Sequence, residues 1–157
     1  MEKKREKFNR ILRDIKSIKI QGAVNIAKAA LKAYFLFPTK ASKEKLLSSK
    51  PTEPMMQNVL SLAYHLPYTR IISHFKISQD KINKYVFNII KSGDVIFTHC
   101  HSSNVVRAII YSKKHKKKLE VYNTETRPLY QGRKTAKELR KASVKVTMFT
   151  EIGRAHV

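Results

Sequence analysis

Two short stretches of this 157-residue chain hold the residue types best suited to chemistry: Thr98-His99-Cys100-His101-Ser102-Ser103 and Thr124-Glu125-Thr126-Arg127-Pro128-Leu129-Tyr130-Gln131-Gly132-Arg133. The first contains the only cysteine of the chain. As a thiolate, that residue can act as an acid/base or a nucleophile. The second carries Arg127, Gln131 and Arg133 among hydroxyl residues, a set that suits a phosphate or a sugar oxygen. A guanidinium offers oxyanions a planar fork, and Pro128 stiffens the backbone beside Arg127.

Each of these residues also has a plainer reading. Cys100 is either a reactive thiol or buried filler, the commoner state of a free cysteine. A strand end before a helix N-terminus, near cations such as Arg127 and Arg133, favours the thiolate. Arg127 either contacts a ligand or pairs with Glu125, and Gln131 and Arg133 serve a ligand or a subunit contact. Successive strand residues alternate sides, so His99-Cys100-His101 cannot place three ligands on one metal. One histidine can orient a substrate, and His99 can equally be satisfied by local backbone. Ser102 and Ser103 begin a helix, where hydroxyl and N–H groups can cradle a phosphate or simply cap the helix.

The elements that position these loops follow from hydrophobic periodicity. Asp94 to Thr150 reads as strand, loop, helix, strand, loop, helix, strand, with both loops at strand carboxyl ends, where open parallel sheets collect ligands. Val95-Ile96-Phe97 is a short apolar run after Gly93, which predicts a buried parallel strand. A helix is expected over Asn104 to Ser112, a strand over Leu119 to Asn123, a helix over Thr135 to Lys141 and a strand over Val144 to Phe149. Thr135 and Glu138 have capping-box spacing, which would start the second helix at Thr135.

The preceding residues read as helical. Phe8, Ile11, Leu12, Ile15 and Ile18 form one stripe, and Ala23, Ile26, Ala27, Ala30, Leu31 and Tyr34 form another, ended by Pro38. A polar connection to Pro54 allows a short helix around Ser42 to Leu47. Two more helices are expected over Met55 to Ala63 and Asp80 to Lys91, the latter capped by Ser78 and closed by Ser92-Gly93. The fold class is α/β, with an N-terminal helical domain at 1–91 and the first half of a Rossmann-like parallel sheet at 92–150. Glu151 to Val157 reads as the in-frame translation of a widely used sequencing adaptor, so the native sequence is expected to be readable only to Thr150 and the chain to be a fragment.

Composition narrows the classes. Hydrophobic residues make up 42% of the chain, enough for a soluble core. No apolar run approaches the roughly 18 to 20 residues that span a bilayer, and no apolar segment follows the charged N-terminus, so a cytosolic protein without a membrane association is expected. A single cysteine excludes an internal disulfide framework. Lys plus Arg number 33 against 11 Asp plus Glu, a net charge of +22, which raises the possibility of RNA. The lysines are scattered, however, and the aromatics are not interleaved with them as stacking platforms. A solvated surface is the favoured reading over an RNA site. The one dense run, Lys113 to Lys118 with His115, is expected to close a helix at its negative dipole end. No Walker loop, dinucleotide fingerprint or zinc spacing is present, so no cofactor is implied.

The motifs Thr98-His99-Cys100-His101-Ser102, Thr124 to Arg133 with Thr135-Ala136-Lys137-Glu138-Leu139, Gln21-Gly22-Ala23 and Lys50-Pro51-Thr52-Glu53-Pro54 together resemble one family. It is the initiation factor 2B alpha/beta/delta family, which includes ribose-1,5-bisphosphate isomerase and methylthioribose-1-phosphate isomerase. The resemblance covers Ile15 to Thr150 and points to the archaeal members. It implies a helical N-terminal domain, a Rossmann-like domain, and dimers or hexamers built through the latter. In the isomerases of the family, a cysteine matching Cys100 and an aspartate from a later strand end convert an aldose 1-phosphate to a ketose. That aspartate would lie beyond Thr150, so the chain alone is expected to be inactive.

The chain departs from the isomerases at two places. Gln21-Gly22-Ala23 stands where they have Arg-Gly-Ala, a phosphate-binding turn, and Lys50-Pro51-Thr52 stands where they have Arg-Pro-Thr. Loss of one bidentate arginine and its weakening to lysine at the other site reduce the expected grip on a second phosphate. Three readings remain. The first is a sugar-phosphate isomerase using Cys100 and the Arg127 loop. The second is a non-catalytic regulatory subunit that binds a phosphorylated sugar or nucleotide and initiation factor 2. The third is a basic RNA-binding protein.

Overall fold

A computed structural model describes residues 1–151. They form, in order, α1 (Glu2–Lys16), α2 (Ala23–Tyr34), α3 (Lys40–Ser49), α4 (Pro54–Leu62), α5 (Tyr68–Ile89), β1 (Val95–Thr98), α6 (Ser103–Lys114), β2 (Glu120–Thr124), α7 (Gln131–Lys141) and β3 (Lys145–Phe149). The chain divides into two compact units, Met1–Lys76 and Ile77–Val157. The α/β class expected from periodicity is the one observed.

The first unit is helical because its apolar residues recur at helical spacing and bury one stripe per helix. Ile15, Ile26, Leu31, Leu46, Met56 and Leu60 are essentially inaccessible and share one core. Ala27, Ala30 and Ala33 of α2 are fully buried as well, and their small side chains permit the close approach of neighbouring helices. Thr39 caps α3 by accepting from the Ser42 N–H at 3.2 Å. Pro54 begins α4, where a missing N–H costs nothing.

Sequence reasoning expected a helix from Asp80, capped by Ser78. The structure instead has one continuous α5 from Tyr68, with Ser78 inside it. Ile71 belongs to the first core and Ile90, just beyond the helix, to the second. No element was expected over Tyr68 to Ile77, whose apolar side chains serve a different core from those at the other end of the helix. The two units divide within α5, whereas the boundary expected from sequence was at its end, near Lys91.

The second unit carries a parallel sheet of order β1-β2-β3. Its register aligns Ile96 with Val121 and Val121 with Val146. These three side chains join Val106 and Ile109 of α6 and Leu139 of α7 in the second core. Val95 and Phe97 alternate to the other face and are 63% and 50% exposed, so β1 is not the strand buried on both faces that its apolar run implied. Phe97 stacks on Phe149 on that face, with ring centroids 6.0 Å apart.

The lysine run does what the dipole argument required, and more. Lys113 and Lys114 occupy the last turn of α6. Lys117 reaches back to the carboxyl end of α5, where its Nζ donates to the carbonyls of Phe87 and Ile90 and lies 4.0 Å from the centre of the Phe87 ring.

Candidate sugar-phosphate site at the strand ends

In-register pairing places Thr98 beside Asn123 and Thr124 beside Phe149, so both chemically loaded loops leave the same edge of the sheet. Cys100 follows β1 and has a left-handed backbone, φ 63. Thr126 and Tyr130 in the second loop share that conformation, with φ 63 and 53. It is uncommon for residues with a side chain and a clear outlier for a β-branched one. Such strain persists only where surrounding contacts hold it, and it clusters at functional sites.

Those contacts come from threonines. The Cys100 N–H donates to Thr126 Oγ1 at 3.0 Å, and its carbonyl accepts from Thr135 Oγ1 at 2.9 Å. The thiol is partly exposed and lies 3.5 Å from Gln131 Oε1. The Arg127–Pro128 peptide in the second loop is cis.

The two histidines differ in burial and in partner. His99 keeps 58% of its side chain exposed, and its Nδ1 bonds the Thr124 hydroxyl at 2.6 Å; its partner is thus a side chain, not the backbone. The His101 side chain is only 9% exposed. Its Nδ1 contacts Thr135 Oγ1 at 3.1 Å, and its Nε2 is 3.9 Å from Glu138 Oε1. Burial pushes its pKa below the ordinary histidine value, repulsion from Lys134 adds to this, and Glu138 offsets part. His101 is therefore neutral and inward-facing near neutral pH.

Arg127 and Arg133 both engage Glu125. Arg127 Nε donates to Glu125 Oε2 at 3.0 Å, and Arg133 donates from Nε at 2.7 Å and from Nη2 to Oε1. The pairing of Arg127 with Glu125, one of the two readings given to that arginine, is present, and Arg133 joins it on a carboxylate that is 5% exposed. Hydrogen bonds from Arg133 and then Arg127 hold the Glu125 carboxyl below the usual carboxylate range. Both arginines also sit against Tyr130, 4.2 Å from the ring centre for Arg133 and 5.8 Å for Arg127. About half of each arginine side chain remains exposed, so a planar cationic surface borders the cysteine loop.

Ser102 is the N-cap of α6, accepting from the Val105 N–H at 3.5 Å, and Ser103 is its first residue. The helix α7 begins at Gln131, one turn before the capping box indicated. Thr135 therefore lies inside the helix, with its hydroxyl turned to Cys100 and His101. Gly132 makes the early start possible, because its backbone packs directly on Thr124. Buried Asn123 ties the two together, its Nδ2 donating to the carbonyls of Thr124 and Gly132 at 3.0 and 2.9 Å.

Glu151 Oε1 accepts from the Thr126 N–H at 2.6 Å. It is the first of the seven residues read as adaptor-derived, and the other six lie outside the described residues. The remaining candidates belong to the first unit. Gly22, φ 85, precedes α2, and the Gln21 carbonyl accepts from Asn25 Nδ2 at 3.0 Å. Ala23 is the first residue of α2, and Lys50 ends α3. Cys100, His101, Gln131, Arg127 and Arg133 are thus brought to one edge of the second unit, with Ser102 and Ser103 at the adjoining helix start. Sequence reasoning named Glu125 only as a partner for Arg127 and missed Thr126, Thr135 and Asn123 as parts of the site. The Thr124-Glu125-Thr126 triplet was the available signal, since residues two apart at a strand end project to one side. Among the described residues no cluster of His, Cys, Asp and Glu could hold a metal ion, and no helix is long and apolar enough to cross a membrane.

A parallel sheet flanked by helices, with a cysteine and paired arginines at its carboxyl edge, defines a Rossmann-like α/β protein. The Initiation factor 2 subunit family matches residues 37–156, and the chain belongs to that family. It is 30% identical to ribose 1,5-bisphosphate isomerase of Archaeoglobus fulgidus, over 87% of this chain and 52% of that protein. It is also 30% identical to a Pyrococcus furiosus protein named translation initiation factor eIF-2B subunit 2-like, over 93% and 60% of the two chains. The crystal structure of Pyrococcus horikoshii OT3 translation initiation factor eIF-2B superposes with a TM-score of 0.77 at 25% identity, over 92% of this chain and 60% of that one. The chain spans roughly half to three-fifths of the length of the curated relatives it matches.

Proposed function

We propose that this chain carries the cysteine-bearing, phosphate-facing part of an aldose–ketose isomerase acting on a ribose-1,5-bisphosphate type of substrate. The observation that carries the reading is the strained, doubly tethered Cys100 turn beside the Arg127–Arg133 surface. The isomerase relatives from Archaeoglobus fulgidus and Methanocaldococcus jannaschii, at 30% and 33% identity, support it.

The reaction is redox-neutral within the substrate: the ring bond from C1 to O4 breaks and O4 takes a proton, C2 loses its hydrogen and its hydroxyl proton to become the ketone carbon, and C1 gains a hydrogen to become the CH2 that bears phosphate. Cys100 would move a proton at the reacting carbons or oxygens, with an acid from a later strand as its partner. Gln131, 3.5 Å from the thiol, would fix its orientation. Arg127 and Arg133 would receive one phosphate, and the α6 start at Ser102 and Ser103 offers hydroxyl and N–H donors to sugar or phosphate oxygens. No cofactor is required.

A second reading is a regulatory subunit that binds a phosphorylated sugar or nucleotide together with initiation factor 2, without turnover. Gln21 and Lys50, in place of arginines, favour it. Either protein would act in the cytoplasm as a homo-oligomer, a dimer or hexamer joined through the Rossmann-like unit. The deciding experiment is conversion of ribose 1,5-bisphosphate to ribulose 1,5-bisphosphate by the full-length protein. Turnover that falls by roughly a hundredfold or more in Cys100→Ser supports the isomerase. Absence of turnover with co-purification of an initiation factor 2 subunit selects the second reading.

A further inference from the structure

The Thr135 hydroxyl makes two contacts that together fix a proton. A hydroxyl has one hydrogen to donate and two lone pairs. Its partner at 2.9 Å is the Cys100 carbonyl, which can only accept. That hydrogen is therefore committed, and the 3.1 Å contact with His101 Nδ1 must be one in which the ring N–H donates to Thr135. Neutral His101 is consequently the Nδ1–H tautomer, with the lone pair on Nε2. Because the ring is 9% exposed, solvent has little access to the ring to scramble this choice.

Thr135 itself is 1% exposed and lies one turn inside α7, so its hydroxyl is not spent on capping that helix. With Thr126 on the other side, it completes a pair of hydroxyls that grips both peptide groups of one left-handed residue. We propose that Thr135 is a positioning residue: it holds the Cys100 turn, and through the same oxygen it sets the tautomer of His101. The thiol is thereby presented in one orientation, beside Gln131. This deepens the proposed function and rests on Cys100 being the reactive group.

The test is nitrogen-15 NMR of the His101 ring in the 157-residue chain, assigned with His101→Gln, for the wild type, Thr135→Ser and the near-isosteric Thr135→Val. The wild type is expected to show a protonated Nδ1 and an unprotonated Nε2. Thr135→Ser should keep that pattern, and Thr135→Val should lose it. A wild-type ring protonated at Nε2, or a Thr135→Val ring unchanged from wild type, overturns the proposal. Should Thr135→Val fail to fold, the wild-type and serine spectra still decide. In the full-length protein, Thr135→Val is expected to lower kcat roughly 10- to 100-fold with KM little changed, and Thr135→Ser to restore it. Equal loss in kcat and gain in KM would contradict positioning. A wild type with no turnover defeats the isomerase reading, while the tautomer measurement still judges Thr135.

Discussion

Replacement of Gly132 by alanine is the most demanding perturbation of the site's scaffold. Gly132 has no need of left-handed freedom; what it provides is absence of a side chain. A Cβ there would lie 1.7 Å from the Thr124 carbonyl oxygen, 2.8 Å from its carbon and 3.0 Å from the Glu125 carbonyl carbon. All three are backbone atoms at the end of the central strand, so no side-chain rotation relieves the clash. The start of α7 must retreat by more than an ångström. That displacement breaks the Gly132 N–H bond to the Glu125 carbonyl, 3.1 Å, and the Asn123 bond to the Gly132 carbonyl, 2.9 Å. Overpacking costs about 1–3 kcal/mol, and each of the two buried groups left without a partner costs about 1–3 kcal/mol, so a loss of about 3–9 kcal/mol is expected. Urea unfolding, with amide exchange at Val121 and Leu139 as reporters of the second unit, measures it. Gly93→Ala is the control: its φ is 100, but open space surrounds the site, so only conformational strain of about 1–2 kcal/mol applies. A Gly132→Ala chain within about 1 kcal/mol of wild type would refute the packing argument.

Three further outcomes follow from the same structure. His101 titrates below its ordinary 6.5 and Glu125 below its ordinary 4.5; in both cases the folded state binds fewer protons than the unfolded one. Stability of the second unit should therefore be complete above pH 6.5, fall as pH drops toward the lowered His101 value, and fall again below 4.5 as Glu125 is protonated. In a urea-midpoint series against pH, His101→Gln should remove the upper step alone. Leu139→Ala, at a fully buried position between α7 and the sheet, should cost about 2–5 kcal/mol in the same unfolding assay. Lys117→Met removes the donor to the Phe87 and Ile90 carbonyls and should cost about 1–2 kcal/mol, read as faster amide exchange in the last turn of α5.

Much of the second unit was legible because its periodicity changes abruptly. The three strands and α6 fall where apolar runs and Ser102 placed them, since short runs bounded by turn residues are too brief for helices. The start of α7 was not legible. Thr135 and Glu138 have the right spacing for a capping box, but tertiary packing of Gly132 on Thr124 extends the helix past it and turns that threonine to other work. The length of α5 was hidden for a related reason, since its two apolar stripes serve different cores. The site was legible as two loops and not as a network. Cys100, Arg127 and Gln131 were named from residue type, whereas the grip of Thr126 and Thr135 on the Cys100 backbone depends on a left-handed turn that no spacing announces.

Titration of ribose 1,5-bisphosphate into the nitrogen-15-labelled chain, followed by backbone amide shifts, tests the central claim most directly. Saturable shifts centred on Cys100, Ser103, Thr126, Gln131 and Arg133, lost in Arg127→Ala, are expected if these two loops form a sugar-phosphate site. No saturable change, or shifts spread evenly over the lysine-bearing surface and abolished by moderate salt, would mean that the strand-end loops are not where this protein recognises its ligand.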